Sequence, residues 1–474
     1  MSENTAMPDQ NSNLASKPAS HALVMLLCAL FAVLWGVWML PNTVFIRHFC
    51  LISGALLGLY VIWPRRTLLL TKAAVPIWLI GFLLLWVTIH LFFIGHDYDR
   101  QLEEYTKIWK KIALSIPFAL GLGLALGSQT SNPRNTKQYW AIIYLGFLLP
   151  MIIYFIKWIA DLYLPRYGYT IPQFLILSRD YLGNPWAIPK AVYVFFCLPA
   201  FAIALGQIIQ SIEAKQFQLI SSIAYLIAIP LTLLIFHIEG DRLGIAYGLI
   251  LIVAAVFFGF LPMLRRRQMS WKVGAMVLIC LVGSGYIATK AIQNNPLWKP
   301  LIADAKVAIQ VDRFDHWKNR NKGYPVNELG TTSLDSNYSR IAWAIAGSRL
   351  LMEEPLGYGL MSVSFEALGK EKWPDSDLSW THSAWLDFGL GYGIPGLLLL
   401  AGATCLAWFS SRCLTCPWGV LGRWAIPCAS LVMVAKEVSS EAIINALIFL
   451  IILISTITIA KPKLCVANKF KSDP

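Results

Sequence analysis

Residues 441–460, EAIINALIFLIILISTITIA, place one charged side chain before a nearly unbroken apolar run. A run of about 20 apolar residues has the length of a helix that crosses the hydrocarbon core of a bilayer. Comparable runs recur through the 474-residue chain, which is 57% hydrophobic and 14% charged, with a mean hydropathy of +0.59. This composition excludes a soluble globular domain and predicts an all-α, polytopic membrane protein.

Apolar runs of similar length recur along the chain and predict about twelve transmembrane helices. They lie near residues 21–40, 46–63, 73–94, 112–128, 139–163, 189–210, 218–237, 243–264, 271–290, 383–408, 424–438 and 441–460. The predicted organisation is a disordered cytoplasmic N-terminus (1–20), transmembrane helices 1–9 (21–290), a large helical periplasmic loop (291–382), transmembrane helices 10–12 (383–460) and a basic cytoplasmic tail (461–474). The N-terminus lacks the basic start and cleavage site of a signal peptide, so we expect the first span to be retained.

The formal net charge of +13 is distributed unevenly between the loops. Basic residues cluster in alternate loops that contain almost no acid, and the positive-inside rule makes those loops and both termini cytoplasmic. The clusters are Arg65, Arg66 and Lys72; Arg134 and Lys137; Lys215; Arg265, Arg266, Arg267 and Lys272; Arg412 and Arg423; and Lys461, Lys463, Lys469 and Lys471. The charge is therefore a topology signal with affinity for anionic membrane lipid, and no nucleic-acid partner is predicted.

Two segments on the predicted outer side have helical patterns. Residues 95–111 place Leu102, Tyr105, Trp109 and Ile112 at helical spacing, which predicts a short interfacial helix or a solvated connector. In the large loop, an apolar stripe over 298–318 predicts one helix, and a second is expected to run from Asp335–Ser336 to Glu354. Together these helices predict a small helical lid.

The sequence contains no predicted metal site. Of nine cysteines, Cys413 and Cys416 form a CxxC pair, but no second pair or nearby histidine completes a zinc site. The other histidines are scattered, and no metal constellation surrounds His382. We therefore predict neither a metal nor a cofactor.

Arg242 lies in EGDRLG, residues 239–244, a tight outward turn between two apolar spans. An arginine at the mouth of a helix bundle is costly unless it pairs, snorkels or binds an anion. Snorkelling, or pairing with Glu239 or Asp241, is one interpretation. The other is a guanidinium fork that binds phosphate through two parallel hydrogen bonds.

Arg340 and His382 lie on the same predicted side of the membrane as Arg242. Arg340 near the start of the second loop helix is either a solvated helix charge or, because Trp343 and Gly347 share its face, a side chain aimed at a packed surface. His382 lies where the loop meets the tenth span, either hydrogen-bonded to backbone or acting as a general base. Imidazole is the side chain best suited to proton transfer near neutral pH.

Three stretches resemble the bacterial O-antigen ligase and polymerase superfamily. They are SRIAWAIAG (339–347), EPLGYG (354–359) and THSAWLDFGLGYGIPG (381–396). The order of parts is also similar: an arginine follows a mid-chain span, a large periplasmic loop carries a second arginine, and a histidine closes that loop. The resemblance covers residues 340–398 at the level of motifs and nearly the whole chain at the level of topology.

The resemblance implies a metal-independent glycosyltransferase with a GT-C-like fold in the bacterial inner membrane, active on the periplasmic side. The implied donor is an undecaprenyl-diphosphate-linked glycan and the implied acceptor is lipid A–core, in lipopolysaccharide biosynthesis. Arg242 and Arg340 would bind the donor diphosphate, and His382 would act on the acceptor hydroxyl as the catalytic residue.

The chain departs from the family pattern at two positions. Members often have Ser before the first arginine, where this chain has Asp241, and many have Asn after the histidine, where it has Ser383. A carboxylate at 241 is expected to weaken phosphate affinity. Ser383 leaves the orienting partner of the histidine unidentified.

Three alternatives share the overall pattern. An O-antigen polymerase or an O-linked protein oligosaccharyltransferase acting on pilin would differ only in the acceptor. A lipid-linked glycan flippase or another transporter would instead place charges deep inside several spans. Here the mid-membrane candidates are few, chiefly His90 and the Lys157–Asp161 pair, which disfavours transport.

Overall fold

The computed structural model describes residues 18–130, 132–177, 185–265, 271–294, 296–414, 417–436 and 441–460. The predicted disordered start lies mostly outside these ranges, and the basic tail and Cys416 lie wholly outside them. The described residues form helices, turns and one isolated β-bridge between Val326 and Thr332. The all-α fold class is confirmed.

Helices α1 to α11 precede the large loop. They are α1 (His21–Trp38), α2 (Val44–Ile62), α3 (Val75–Ile89), α4 (Tyr98–Glu104), α5 (Lys110–Ser128), α6 (Pro133–Tyr163), α7 (Lys190–Glu213), α8 (Leu219–Ile238), α9 (Arg242–Ala255), α10 (Leu261–Arg265) and α11 (Trp271–Asn294). Short π-helical turns extend α3 (His90–Ile94), join α4 to α5 (Tyr105–Trp109) and join α9 to α10 (Val256–Phe260).

Six helices follow α11. Three belong to the loop, α12 (Leu301–Ala308), α13 (Asp335–Glu353) and α14 (Ser364–Lys372), and three return to the bundle, α15 (Ala384–Ser411), α16 (Trp418–Val432) and α17 (Glu441–Ala460).

Each predicted span coincides with a helical stretch. Within the described ranges, nine stretches are long and apolar enough to cross a membrane, and α8 contributes a shorter apolar segment, Ser222–Ile238. The remaining two predicted spans correspond to α11 and to α16, which has 15 residues. The count of twelve crossings and the periplasmic position of the loop stay predictions.

Helices α7 and α17 form the centre of the bundle. The apolar window of α7 is 100% buried and that of α17 is 94% buried, whereas the window over Lys72–Ile94 is 28% buried. Helix α17 packs on α5, and α7 packs on α16 and α8. The two windows are about equally apolar, with mean hydropathies of 2.7 over Glu441–Ala460 and 2.4 over Lys72–Ile94, so packing between helices, and not apolarity, places the stretch at 441–460 in the core.

Helices α2 and α5 approach closely through glycines. A Cβ atom at Gly58 would lie 2.1 Å from the carbonyl oxygen of Pro117, and one at Gly121 would lie 2.1 Å from the Cα of Gly58. Side chains that small let two helix backbones touch within a membrane domain, where dispersion contacts drive association.

The loop helices enclose a second, smaller hydrophobic core. Its buried residues include Val311, Trp317, Trp343 and Phe365 of the loop and Leu390 of α15, so the loop packs directly onto the bundle. The predicted helix from Asp335 is confirmed, but the stripe over 298–318 is α-helical only in α12, and a single 3₁₀ turn follows at His316–Lys318. Val311 and Trp317 are buried through a turn instead, in which the indole Nε1 of Trp317 donates to the Val311 carbonyl at 3.1 Å.

The loop is attached to α15 at a break in that helix. Gly393 has φ 70° and ψ −177°, which interrupts the helical hydrogen bonds. Segment 355–359 fills the gap: the N–H groups of Tyr358 and Gly359 donate to the carbonyls of Leu390 and Gly391 at 2.8 and 2.7 Å. Irregular backbone inside a membrane domain is tolerated where other protein groups form hydrogen bonds with its N–H and C=O groups. This pairing gives the glycines of the 354–359 and 381–396 motifs a physical role.

His90 supports the same attachment from α3. It is fully buried, its Nε2 is hydrogen-bonded to the Leu356 carbonyl at 2.9 Å, and its Nδ1 is hydrogen-bonded to Gln101 at 3.2 Å. The residue considered above as part of a transport path is thus a structural contact between the bundle and the loop.

Segment 95–111 forms α4 and the turn that leads into α5, so the prediction of a helix there is confirmed. Its buried face contains Gln101 and Glu104 in place of the expected Leu102, which is 37% exposed. The reason is that the Glu104 carboxylate accepts hydrogen bonds from the backbone N–H groups of Met361 and Ser362.

Candidate functional site

Arg242 is the first residue of α9, and the preceding turn aims its side chain at the loop. Gly240 adopts φ 62°, and Asp241 caps the helix by accepting from the Gly244 N–H at 2.8 Å. The guanidinium donates to three groups of the loop: the Leu297 carbonyl at 2.8 Å, Asn337 Oδ1 at 3.0 Å and Ser336 Oγ at 2.7 Å. All three acceptors belong to the loop, so the side chain reaches toward the loop.

Arg340 lies one helical turn after Ser336 on α13 and lines the same cavity as Arg242. This cavity has a volume of about 430 Å³. Its walls come from the α8–α9 turn, from α13, from Leu297 to Leu301 and from the segment after α16. The structure brings together two arginines that are 98 positions apart in the sequence.

The cavity is rich in positive charge. The described residues that line it include four basic side chains, Lys190, Arg242, Arg340 and Lys436, and one carboxylate, Asp241. Concentrated cations at the mouth of an apolar bundle favour an anionic ligand and do not suit a neutral one.

Sequence reasoning missed Lys190 and Lys436. Both had a signal: each is an ionisable residue at the end of a predicted span on the outer side, where such residues are functional candidates. Lys190 is the first residue of α7, and its ammonium donates to the carbonyl of Glu239. Lys436 lies just after α16 and is only 8% exposed.

Asp241 and Lys436 form a buried ion pair at the cavity wall. Lys436 Nζ donates to Asp241 Oδ2 at 2.7 Å, and Asp241 is 7% exposed. Burial alone would raise the pKa of the Asp241 carboxyl. The Lys436 ammonium outweighs it, helped by the Gly244 N–H and the charge of Arg340, and holds that pKa below its ordinary value. The carboxylate that was expected to repel phosphate is therefore neutralised by a neighbour.

His382 is fixed in place by the residues around it. Its backbone has φ 59°, a conformation that costs energy for a non-glycine residue. Thr381 braces the turn, because its N–H and Oγ1 both donate to Asp387 Oδ1, at 3.0 and 2.6 Å. The imidazole stacks on Trp343 with ring centroids 5.5 Å apart and an angle of 19° between planes.

His382 is next to the cationic cavity without being one of the described residues that line it. Trp343 follows Arg340 by one turn of α13. From the other side, the N–H of Ala384 donates to the Lys436 carbonyl at 2.7 Å. The structure thus groups the two predicted arginines in one cavity and holds the predicted histidine beside it.

Another basic side chain contacts the indole ring that stacks on His382. The Arg320 guanidinium lies 5.3 Å from the centroid of the Trp343 ring, the same ring that stacks on His382. Within the part of the chain that the structure describes, no group of three or more His, Cys, Asp or Glu side chains could hold a metal ion.

An apolar pocket of about 240 Å³ lies between α15 and α16. Trp385, which is three residues after His382, forms one wall, and Trp408 and Ile426 form others. The indole Nε1 of Trp385 donates to the Ser430 carbonyl at 2.9 Å and so ties the two helices together at this pocket.

Comparison with known proteins identifies the part of the chain that contains this site. No curated protein matches the chain significantly. Residues 221–401 match the family model described as O-antigen ligase, a range that includes Arg242, Arg340 and His382 but not Lys190 or Lys436. Members of this family are glycosyl-transferring enzymes. Over residues 221–401, the chain is therefore similar to the O-antigen ligase family.

Proposed function

We propose that this protein is an O-antigen ligase. It transfers a preassembled glycan from undecaprenyl diphosphate to lipid A–core at the periplasmic face of the bacterial inner membrane. The observation that carries the proposal is the cationic cavity: Arg242 and Arg340 line it, and the family match covers both. A binding site for an anion at the end of a membrane bundle suits a lipid-linked diphosphate.

The chemistry requires three events at one place. The acceptor hydroxyl attacks the anomeric carbon, the bond between that carbon and the phosphate oxygen breaks, and the leaving diphosphate takes the electron pair. His382 accepts the hydroxyl proton as general base. Attack from the face opposite the leaving group inverts the anomeric configuration.

The cations contribute by stabilising the charge on the leaving group. A terminal phosphate carries about −1.5 to −2 at neutral pH, so the diphosphate gains negative charge as the bond breaks. Fixed guanidinium groups in a partly dry cavity stabilise that charge more in the transition state than in the ground state. Arg242 is already held by three hydrogen bonds to the loop, so it needs little reorganisation.

Two further features support a lipid-linked donor. The apolar pocket that begins at Trp385 lies close to His382 and is suited to part of an isoprenoid chain. The loop core packs over the bundle at Leu390, where it would exclude the water that competes with the acceptor.

Purified full-length protein in nanodiscs tests the proposal. The mixture contains undecaprenyl-diphosphate glycan, lipid A–core and EDTA, and wild type is compared with His382→Ala. We expect wild type to form capped lipopolysaccharide on a gel and the variant to lose about 10²- to 10⁴-fold in rate, the range of general base catalysis. Full transfer by a variant with Arg242, Arg340 and His382 all replaced by Ala would reject the mechanism.

The same gel distinguishes the acceptors. A lengthened carrier-linked ladder would identify an O-antigen polymerase, and a glycosylated pilin would identify an O-linked protein oligosaccharyltransferase. Either product would keep the donor chemistry and replace lipid A–core. Movement of intact donor between leaflets, without any transfer, would identify a flippase.

A further inference from the structure

We propose that Lys436 binds the donor diphosphate directly, in addition to pairing with Asp241. The inference rests on the proposed function for the identity of the anion. It concerns a residue outside the range of the family match and outside the motifs in the sequence.

Charge balance motivates the proposal. Arg242, Arg340 and Asp241 alone give the cavity a formal charge of one positive unit. Such a site is poorly matched to a diphosphate that becomes more negative as it leaves. Lys190 and Lys436 raise the formal charge to three positive units, which matches the leaving group far better.

Position favours Lys436 over Lys190 as the main contributor. Lys190 is exposed, so solvent screens its charge. Lys436 is 8% exposed, yet it is among the residues that line the cavity. An ammonium has three donors, and its hydrogen bond to Asp241 Oδ2 uses one of them. Among the residues that the structure describes, the other two have no acceptor and can donate to a phosphate oxygen.

Lys436 also connects the two halves of the proposed site. Its side chain contacts the residue before Arg242, and its backbone carbonyl accepts from Ala384, two residues after His382. A diphosphate bound by this ammonium would lie between the arginines and the histidine. That is where the leaving group must lie for in-line attack on the anomeric carbon.

The competing interpretation is that Lys436 serves only as the counter-ion of Asp241. Two variants separate the two roles. Asp241→Asn removes the carboxylate but keeps a side-chain oxygen for the helix cap. Asp241→Asn combined with Lys436→Met removes both charges, so no unpaired buried charge is left to unfold the protein.

The experiment measures binding of farnesyl diphosphate, farnesyl monophosphate and inorganic pyrophosphate to full-length protein in nanodiscs. If Lys436 binds the diphosphate, Asp241→Asn binds farnesyl diphosphate at least as tightly as wild type. The double variant then binds about 10- to 100-fold more weakly than Asp241→Asn, the range of a charge-assisted hydrogen bond. Lys436→Arg in place of Met restores most of the affinity.

Equal affinity of Asp241→Asn and the double variant would overturn the inference and leave the proposed function intact. A wild-type protein that does not prefer farnesyl diphosphate to the monophosphate would overturn the inference together with the proposed donor. Lys306→Met is the matched control. Lys306 is an exposed residue of α12 that pairs with Glu328, and its loss should change neither affinity nor folding.

Discussion

The imidazole of His382 lies nearly parallel to the indole of Trp343, with 5.5 Å between ring centroids. Trp343 is itself anchored, because its Nε1 donates to the Trp317 carbonyl at 2.8 Å and the residue is 2% exposed. The loop core thus fixes the plane of the histidine ring. The proposed role of His382 as a base requires an oriented ring, so under that proposal this contact couples loop packing to chemistry.

Replacing Trp343 by Phe or by Leu tests this coupling. Both variants lose the hydrogen bond to Trp317, but only Leu loses the aromatic face under His382. We expect kcat of Trp343→Leu to fall about 10-fold or more below that of Trp343→Phe, with similar KM for the donor, because the ring is less well oriented. Steady-state kinetics measure kcat and KM of the two variants, which are compared at a temperature where both are fully folded. Equal kcat values would show that the stacking has no role in catalysis.

The buried carboxylate of Glu104 anchors the loop, and its neighbour Glu103 offers a matched control. The Glu104 carboxylate accepts from Met361 N–H at 2.9 Å, Ser362 N–H at 3.2 Å, Ser362 Oγ at 2.8 Å and the Tyr392 hydroxyl at 3.0 Å. We expect Glu104→Gln to lower the free energy of unfolding by about 1–3 kcal/mol, since one acceptor oxygen becomes a donor facing other donors. Thermal unfolding in nanodiscs measures this.

Glu103 pairs with Lys107 at the surface, and both side chains are more than half exposed. Glu103→Gln is therefore the control, and it should leave the melting temperature unchanged. The same melting temperature for both glutamine variants would contradict a role for Glu104 in anchoring residues 361 and 362.

Gly393 is expected to tolerate no side chain. Its φ is 70°, and a Cβ atom would lie 2.4 Å from the carbonyl carbon and oxygen of Leu356. Gly393→Ala must therefore separate the loop from α15, with loss of folded protein or a large drop in melting temperature. Gly168→Ala is the control, with φ 77° and open space around it, and it should cost only about 1–2 kcal/mol. Similar costs at both positions would show that the pairing with the loop contributes little.

The ion pair of Asp241 and Lys436 predicts a pH dependence of stability. The pKa of Asp241 is lower in the folded protein than in the unfolded chain, so the pair stabilises the fold above the ordinary carboxyl value. As the pH falls below about 4 and through the lowered pKa, that contribution is lost. We expect wild type to exceed Asp241→Asn in melting temperature at pH 7 and the difference to shrink toward pH 3. A difference that stays constant over this range would mean that the carboxyl is not involved.

The membrane fold could be predicted because its signal is local. The run at 441–460 and the other apolar segments each carry their own length and composition, and each coincides with a helix. The same holds for α13, whose start at Asp335 follows from nearby residues. The prediction of one helix over 298–318 was wrong beyond α12, because apolar residues at helical spacing can also be buried through a turn, as Val311 and Trp317 are.

Arg242, Arg340 and His382 were selected from the sequence by their positions at the predicted membrane boundary together with the resemblance to the O-antigen ligase and polymerase superfamily. Only the tertiary structure placed the arginines in one cavity, stacked the histidine on Trp343 and added Lys436, whose partner Asp241 is 195 positions away. It also decided that α17 lies at the centre of the bundle and that Glu104 faces the loop. Hydrophobic length is encoded in consecutive residues, whereas ion pairs and cavities depend on helices that are distant in the chain and meet only when the protein packs.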